Sequence, residues 1–222
     1  MYLASLSSTF FITELMMKET LTKNVLLEEL PLCEGHLTIR PWSRQDLEVL
    51  AAWPDYPFPH KGFKFIFSSM NSSAKEKLFQ ARQGNPDGFV LAVDHKDESA
   101  VGYVALNQID WLEHSIGNFG LRIHPNWCDK GMGTSVLRTL CFWLFNHDIE
   151  SVKVDVAASN TRAYRCYEKV GFCSVGEIWR EAPDLKGVDT SLSRYDFLRS
   201  HLRQDTEIPK LRFLLMELRR NN

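Results

Sequence analysis

The amino-acid sequence predicts a mixed α/β fold in which helices flank a central, mostly antiparallel sheet. A short alternating strand at residues 37–40 comes first, and amphipathic helical stretches follow at residues 43–51 and 73–84. Three apolar, strand-like stretches come next with only short turns between them, as in an antiparallel meander. Helical and strand patterns then alternate from residue 133 to residue 200, which is the order of an α/β unit.

Length and composition are those of one globular domain with appendages, or at most of two small domains. The chain has 222 residues, of which 44% are hydrophobic and 24% charged, and both fractions are ordinary. The formal net charge of −2 provides no basic field for nucleic acid. No apolar run approaches the ~20 residues of a membrane span. We therefore expect neither a nucleic-acid nor a membrane partner.

The cysteines favour a reducing, cytoplasmic setting. There are five of them, an odd number, and no two are spaced as Cys-x-x-Cys. This pattern disfavours both a disulfide framework and a thiolate zinc site. We accordingly expect a cytoplasmic protein without a metal ion.

Residues 1–36 are predicted to be an appendage to a domain that spans residues 37–200. The apolar positions of this appendage would line one face of a helix. They are Phe10, Phe11, Leu15, Met16 and Leu21. The appendage would cover a sheet edge, contact a partner subunit or lie loosely against the domain.

The domain opens with the strand at residues 37–40 and a helix whose capping box is formed by Ser43 and Asp46. Prolines exclude helix from the aromatic segment 53–60. This segment would either wall a substrate site or form a rigid turn with packed aromatic side chains. Three further aromatic residues follow it; they are Phe63, Phe65 and Phe67.

The middle of the domain is predicted to hold most of the sheet. Strands are expected at residues 89–93, 101–109 and 116–123 because apolar and β-branched residues dominate there. A helix with one buried stripe should run from about residue 133 to 147, and a strand with one polar face should occupy 152–156.

The last elements are a helix over residues 161–170, which Gly171 ends, and a hairpin formed by residues 172–180 and 190–200. Residues 201–222 are predicted to form a C-terminal helix for docking or for dimerisation. Its apolar residues stand at i, i+3, i+4 and i+7; they are Leu211, Leu214, Leu215 and Leu218.

A glycine-bearing loop at residues 129–134 lies between the third meander strand and the following helix. Glycines let a backbone approach a ligand closely, and a helix start presents unpaired N–H groups to an anion. The loop therefore indicates a phosphorylated ligand, although two glycines alone are weak evidence.

Three blocks of sequence, in this order, resemble the GCN5-related N-acetyltransferase family. The branch most similar acetylates N-termini of ribosomal proteins and assorted small amines. The blocks resemble its fourth strand, the Gly-x-Gly/Ala core of its cofactor loop and its Asn-x-x-Ala-x-x-x-Tyr-x-x-x-Gly-Phe pattern. They are IGNFGLRIHP at 116–125, KGMGT at 130–134 and NTRAYRCYEKVGF at 160–172. The resemblance covers residues 37–200 and implies an acyl-CoA N-acyltransferase fold with splayed middle strands.

The resemblance also implies a site for acetyl-CoA as co-substrate. The backbone of Leu121 and Ile123 would pair with the pantetheine arm, and Asn160 would bond its amides beside the small Ala163. The loop would take the pyrophosphate at the helix start. Its residues are Asp129, Lys130, Gly131, Met132, Gly133 and Thr134. One residue departs from the family pattern: Cys128 stands where Gln or Arg is usual.

Acid–base chemistry is assigned to two side chains. Tyr167 lies seven residues after Asn160, about two helical turns, so both would share one helix face. The resemblance implies that Tyr167 protonates the leaving sulfur. The amine must lose a proton, and Asp155, on the polar face of its strand, is our candidate base. The alternatives are Glu113 and His114, in the turn before residue 116.

These observations predict an acetyl-CoA-dependent N-acetyltransferase that acts on a primary amine, either a protein N-terminus or a small molecule. A second hypothesis is a non-catalytic acyl-CoA-binding regulatory module on the same fold. A Rossmann-type dinucleotide domain fits less well, because residues 125–127 separate the strand from the glycines. The sequence leaves open whether the chain assembles as a homodimer.

Overall fold

The computed structural model describes residues 21–60, 66–96 and 98–220. The proposed helix face at Phe10, Phe11, Leu15 and Met16 lies outside these ranges, as do Phe63 and Phe65. In the described part of the chain the mixed α/β prediction is confirmed. No helix there is long and apolar enough to span a membrane.

The first half of the sheet is an antiparallel meander. Its strands are β1 (Leu32–Glu34), β2 (Leu37–Pro41), β3 (Gly88–His95), β4 (Glu98–Asp110) and β5 (Ser115–Ile123). Each pairs antiparallel with the next. Strand β3 is buried at six successive residues, Gly88 to Val93, as expected of a strand covered on both faces. In β4, the buried Val104 and Leu106 alternate with less buried neighbours.

The second half of the sheet is also antiparallel within itself. Its strands are β6 (Ser151–Ala157), β7 (Cys173–Glu181), β8 (Leu202–Arg203) and β9 (Lys210–Arg219). Strand β9 lies between β6 and β7, and β8 pairs with β9. The two halves join through β5 and β6, which run parallel.

Six helices accompany the described strands. They are α1 (Lys23–Glu28), α2 (Arg44–Ala51), α3 (Ser72–Gln83), α4 (Met132–Asn146), α5 (Thr161–Val170) and α6 (Asp196–Arg199). Helices α4 and α5 pack into the main hydrophobic core on one face of the sheet. A second cluster, around Trp42, Leu47 and Phe79, places α2 and α3 against β3.

The predicted C-terminal helix is wrong, because residues 210–219 form β9. An interior strand with both faces covered carries apolar residues at successive positions, so its sequence also satisfies a helical stripe. The predicted hairpin is wrong as well. Strand β7 pairs with β9, and residues 193–199 form a 3-10 turn followed by α6.

The sheet also extends beyond both predicted domain boundaries. Strand β1 lies within the predicted appendage of residues 1–36, and β9 lies within the predicted segment 201–222. Leu26 of α1 is fully buried in the main core. The Lys23 ammonium donates to the carbonyls of Gln83 and Asn85, each at 2.9 Å. Residues 21–36 therefore pack as part of the domain.

Candidate active site

A cleft opens where β5 and β6 separate. The two strands pair only at Ser115–Ser151 and Ile116–Val152. Beyond these pairs β5 stays with β4 and β6 stays with β9, so the strands diverge. The cleft between them has a volume of about 690 Å³ and is lined by β5, β6, α5 and the loop before α4. The splayed strands that the resemblance implied are present.

The backbone of Leu121 and Ile123 faces this cleft. The His124 N–H donates to the Val101 carbonyl across β4 at 2.7 Å. Bonded and non-bonded pairs alternate in an antiparallel ladder, so Arg122 also bonds to β4, whereas Leu121 and Ile123 present their N–H and C=O groups to the gap. The Ile123 carbonyl accepts a hydrogen bond from the buried Tyr56 hydroxyl at 2.7 Å.

The loop and the start of α4 form the second wall of the cleft. Gly131 is the N-terminal cap of α4, with φ of 80°. The first helical bond runs from the Ser135 N–H to the Gly131 carbonyl at 3.0 Å. The preceding N–H groups, including those of Met132, Gly133 and Thr134, therefore have no partner within the helix.

Gly133 sits where a side chain would be crowded. A Cβ placed on it would lie 3.1 Å from the Cys166 sulfur and 3.7 Å from Leu121 Cδ2. The Thr134 hydroxyl lies 3.5 Å from the same sulfur. This close approach of loop, α5 and β5 favours glycine at the second glycine position of the loop.

The side chains of Lys130 and Met132 do not face the cleft. The Lys130 ammonium lies 5.3 Å from the centre of the Trp127 ring, and Met132 is buried in the main core. Neither residue lines the cleft, and only the unpaired N–H of Met132 at the helix start is left to contribute. Asp129 lines the cleft with φ of 60°, and its carboxylate is 3.9 Å from the Arg162 guanidinium.

Cys128 occupies the place of the usual Gln or Arg as a neutral thiol. Burial raises its pKa, so the thiolate is disfavoured. Its sulfur lies 3.7 Å from the Ile123 carbonyl and 3.6 Å from the His124 carbonyl. The side chain therefore braces the end of β5 and offers no positive charge to a phosphate.

Asn160 and Ala163 stand at the start of α5 beside the cleft. The Asn160 side-chain oxygen accepts from the Ala163 N–H at 3.2 Å and so caps the helix. This cap leaves the amide Nδ2 as the group that Asn160 can offer to a ligand. Both residues line the cleft, as the predicted motif spacing requires.

Tyr167 reaches the cleft from the buried side of α5. The residue is only 6% exposed, and its ring makes an edge contact with Phe172 at 5.4 Å between centres. Burial raises the pKa of its hydroxyl well above the usual range. The hydroxyl therefore stays protonated at neutral pH, which is the state of a proton donor.

Asp155 also lines the cleft, but its carboxylate is engaged. The Arg180 guanidinium of β7 forms an ion pair and hydrogen bond with it. Arg180 in turn stacks over the Phe213 ring at 5.0 Å. Any proton transfer to Asp155 must therefore occur beside a fixed positive charge, which sequence reasoning did not anticipate.

Glu113 and His114 lie away from the cleft. They precede Ser115, whose pairing with Ser151 marks the closed end of the separation between β5 and β6. The His114 Nδ1 lies 2.8 Å from the Asp148 carbonyl. Neither residue lines the cleft, so the structure brings Asp155, and not these two, near Tyr167.

The aromatic segment 53–60 spans the open end of the cleft. Its Tyr56 hydroxyl donates to Ile123 at the end of β5. The Phe58 ring packs against Tyr195 and Phe197, with distances between ring centres of 6.2 and 5.6 Å. The segment thus connects the two halves of the sheet, and its Tyr56 lines the cleft. These contacts join residues more than 130 positions apart, and sequence spacing carries no signal for them.

The fold and cleft define the class of mixed α/β proteins with a splayed sheet, the acyl-CoA N-acyltransferase fold. More specifically, the chain belongs to the GNAT acetyltransferase family, since residues 36–173 match the model described as "Acetyltransferase (GNAT) domain". Its membership of the ribosomal-protein branch stays a prediction.

Curated relatives match part of the chain. An aminoglycoside N(6')-acetyltransferase type 1 of Klebsiella pneumoniae is 35% identical over 108 residues, which cover 46% of this chain and 53% of that protein. A kanamycin resistance protein of Rhizobium radiobacter is 39% identical over 72 residues, 32% of this chain and 65% of that protein. The chain thus spans about half the length of the first of these relatives.

Solved structures match the fold over most of the chain. The crystal structure of spermidine N-acetyltransferase from Vibrio cholerae in complex with CoA and spermine superimposes with a TM-score of 0.59 at 18% identity. The match covers 84% of this chain and 96% of that one. At this identity the similarity demonstrates the fold alone.

Proposed function

We propose that the protein is an acetyl-CoA-dependent N-acetyltransferase that moves an acetyl group directly to a primary amine. The observation that carries the proposal is the free edge of β5, which lines one cleft together with the start of α4 and Tyr167. Family membership and the activities named for its relatives support the same conclusion.

The described residues fit acetyl-CoA in three respects. Leu121 and the N–H of Ile123 offer backbone groups to an amide-bearing arm, and Asn160 adds its Nδ2. The unpaired N–H groups at the start of α4 suit a pyrophosphate. Basic side chains on α5 that line the cleft can accept further phosphate charge; they are Arg162, Arg165 and Lys169.

The proposed chemistry is direct transfer. Acetyl-CoA supplies the thioester, and a bond forms between the amine nitrogen and the acetyl carbon as the carbon–sulfur bond breaks. A backbone N–H on the β5 edge would stabilise the oxygen charge that develops. Asp155 would take the amine proton, through a water where the distance requires it, and Tyr167 would donate a proton to the sulfur.

We further propose that the protein is cytoplasmic, on the basis of its five free cysteines. The absence of a metal ion from the reaction and the assembly of a homodimer both stay predictions.

The proposal is tested by calorimetric binding of CoA together with release of free thiol from acetyl-CoA over a panel of primary amines. We expect CoA to bind and at least one amine to accelerate thiol release. Binding without amine-dependent release would instead favour a non-catalytic acyl-CoA-binding module, and absence of binding would contradict both functions.

A further inference from the structure

The charged groups of the cleft divide between its two sides. Phe119, Leu121 and Ile123 pack into the core beneath α4 and α5. Because side chains alternate along a strand, Arg122 points to the opposite face of the sheet. Asp155 lies between the core residues Val154 and Val156 of β6 and points to that face too. We call the cleft surface around Arg122, Asp155 and Arg180 the acceptor face, since α5 supplies the basic groups on the other side.

Arg122 is the unpaired charge of the acceptor face. It lines the cleft, is half-buried, and stands opposite Tyr103 of the neighbouring strand β4. Within the described ranges it forms no ion pair with a carboxylate. A half-buried guanidinium that has no carboxylate partner among the described residues retains donors for a planar anion.

The one carboxylate on the acceptor face does not compensate for Arg122. Asp155 is held by Arg180, and its side chain is 17% exposed. The pair is close to neutral as a unit, so Arg122 leaves the acceptor face net positive. A polyamine or an aminoglycoside, which carries several ammonium groups, would meet like charge on this face. The other carboxylate in the described lining of the cleft, Asp129, lies 3.9 Å from the Arg162 guanidinium.

We infer that the acceptor is an amine that also carries an anionic group, in the first place a carboxylate, and that Arg122 binds this group. The inference rests on the proposed acetyl transfer and specifies its substrate class. The acceptor class differs from the aminoglycosides and spermidine named for similar proteins. The carboxylate would stand close to the amine, because Arg122 and Asp155 lie on facing strands of one cleft.

The test compares amines that differ only in this charge. Initial rates of thiol release from acetyl-CoA would be measured with each α-amino acid and with its carboxamide, with short peptides, and with spermidine and kanamycin. We expect a carboxylate-bearing amine to exceed its carboxamide by on the order of tenfold in kcat/KM. Equal rates for the two forms, or preference for spermidine or kanamycin, would overturn the inference.

A variant locates the preference at Arg122. Arg122→Gln should raise KM for the carboxylate form about tenfold and leave that of its carboxamide almost unchanged. Arg219→Gln removes an exposed arginine away from the cleft, where Glu217 is its partner, and should change neither. An equal loss for both substrate forms with Arg122→Gln would show a structural or catalytic role instead, and the inference would fail.

A binding measurement separates this inference from the proposed function. The CoA-loaded wild-type protein and the folded Arg122→Gln variant would be titrated with the same pairs of amino acid and carboxamide. Selective, Arg122-dependent binding of the carboxylate form supports the inference even where no amine is acetylated. Without such selectivity the inference is rejected, even if acetyl transfer itself is observed.

Discussion

At the scale of single residues, sequence alone predicts the position of Tyr167 but not the surroundings of Asp155. Spacing from Asn160 places Tyr167 on one helix face, and α5 forms over those residues. The partner of Asp155 was not predictable, because Arg180 reaches it only through the order β6–β9–β7. Local spacing therefore identifies groups on one element, whereas ion pairs between strands depend on the order of strands in the sheet.

Replacing Tyr167 with phenylalanine should lower kcat about 100-fold or more, because the buried proton donor is lost while the ring still packs on Phe172. The KM for acetyl-CoA should change little. Tyr164→Phe is the matched control on the same helix, since its hydroxyl is directed to Glu168 at 3.5 Å. Steady-state kinetics would measure both, and unchanged turnover in Tyr167→Phe would exclude the acid role.

Asp155→Asn should likewise lower kcat on the order of 100-fold, and the loss should be greatest at low pH, where more of the amine must be deprotonated. Glu113→Gln, at the closed end of the strand separation, should retain wild-type kinetics. A pH–rate profile of each variant would check this. If Glu113→Gln proved the more damaging substitution, the assignment of the base to Asp155 would be wrong.

At the scale of elements, the loop before α4 combines a backbone requirement with a ligand requirement. Gly131 and Gly187 have almost the same positive φ, 80° and 81°, and open space around the missing side chain. They differ in place, since only Gly131 lines the cleft. Substitutions at Gly131 and Gly187 can therefore be compared to distinguish the effect of backbone strain from an effect on ligand binding.

Alanine at either position should lower the free energy of unfolding by about 1 kcal/mol, because the left-handed conformation is unfavourable for a residue with a Cβ. Only Gly131→Ala should also raise KM for acetyl-CoA, since the strained cap shifts the N–H groups at the start of α4. Thermal unfolding and kinetics of both variants would measure the two effects. Equal KM values would argue against a role of this helix start in binding.

A second element-scale feature fastens α2 to the sheet. The Asp46 carboxylate accepts from the Arg40 guanidinium twice at 2.8 Å and from the Ser43 N–H at 2.6 Å. The capping box predicted at Ser43 is present, but Arg40, on β2, was not foreseen as its partner. Burial would raise the pKa of Asp46, yet the hydrogen bonds from Arg40 and Ser43 together bring it below 3.8.

Because this pKa is lowered by folding, the ionised Asp46 stabilises the protein above pH 3.8 and ceases to do so as the pH falls through the lower value in the folded state. Asp46→Asn should cost roughly 2–3 kcal/mol at pH 7. It should also flatten the loss of stability below pH 3.8. Denaturant unfolding across pH would test this, with Asp184→Asn at an exposed position as the control. If the stability of Asp46→Asn fell with pH in parallel with that of the wild type, the prediction would be contradicted.

Strand β9 shows where element prediction reached its limit. The stripe from Leu211 to Leu218 satisfies a helix, and only pairing with β6 and β7 on its two sides makes the strand favourable. Such pairing depends on distant residues and is invisible to a local pattern. The meander, by contrast, was predictable because its strands pair with their neighbours in sequence.

At the scale of the whole molecule, the sheet consists of two halves that share two residue pairs and one cleft. Helices α4 and α5 cover one face of both halves, and Phe58 links them across the open end. A ligand that fills the gap along β5 would add the hydrogen bonds that β6 does not make there. Binding is thus expected to complete the sheet as well as to fill a pocket.

This view predicts a specific pattern of amide hydrogen exchange. CoA at about 100 times its Kd should stabilise the protein by about 2.7 kcal/mol and raise Tm by roughly 5–10 °C. The amides of Leu121 and Ile123 should exchange rapidly without CoA and become protected with it, whereas Arg122, already bonded to β4, should be protected in both states.

The alternating residues of one strand therefore act as their own control. A uniform gain in protection along β5 would indicate global stabilisation alone. Unchanged exchange at Leu121 and Ile123, with CoA bound, would show that the ligand does not pair with this edge. Protection confined to these two amides would connect the ladder register of β5 directly to cofactor binding, because only the residues that β4 leaves unpaired can change.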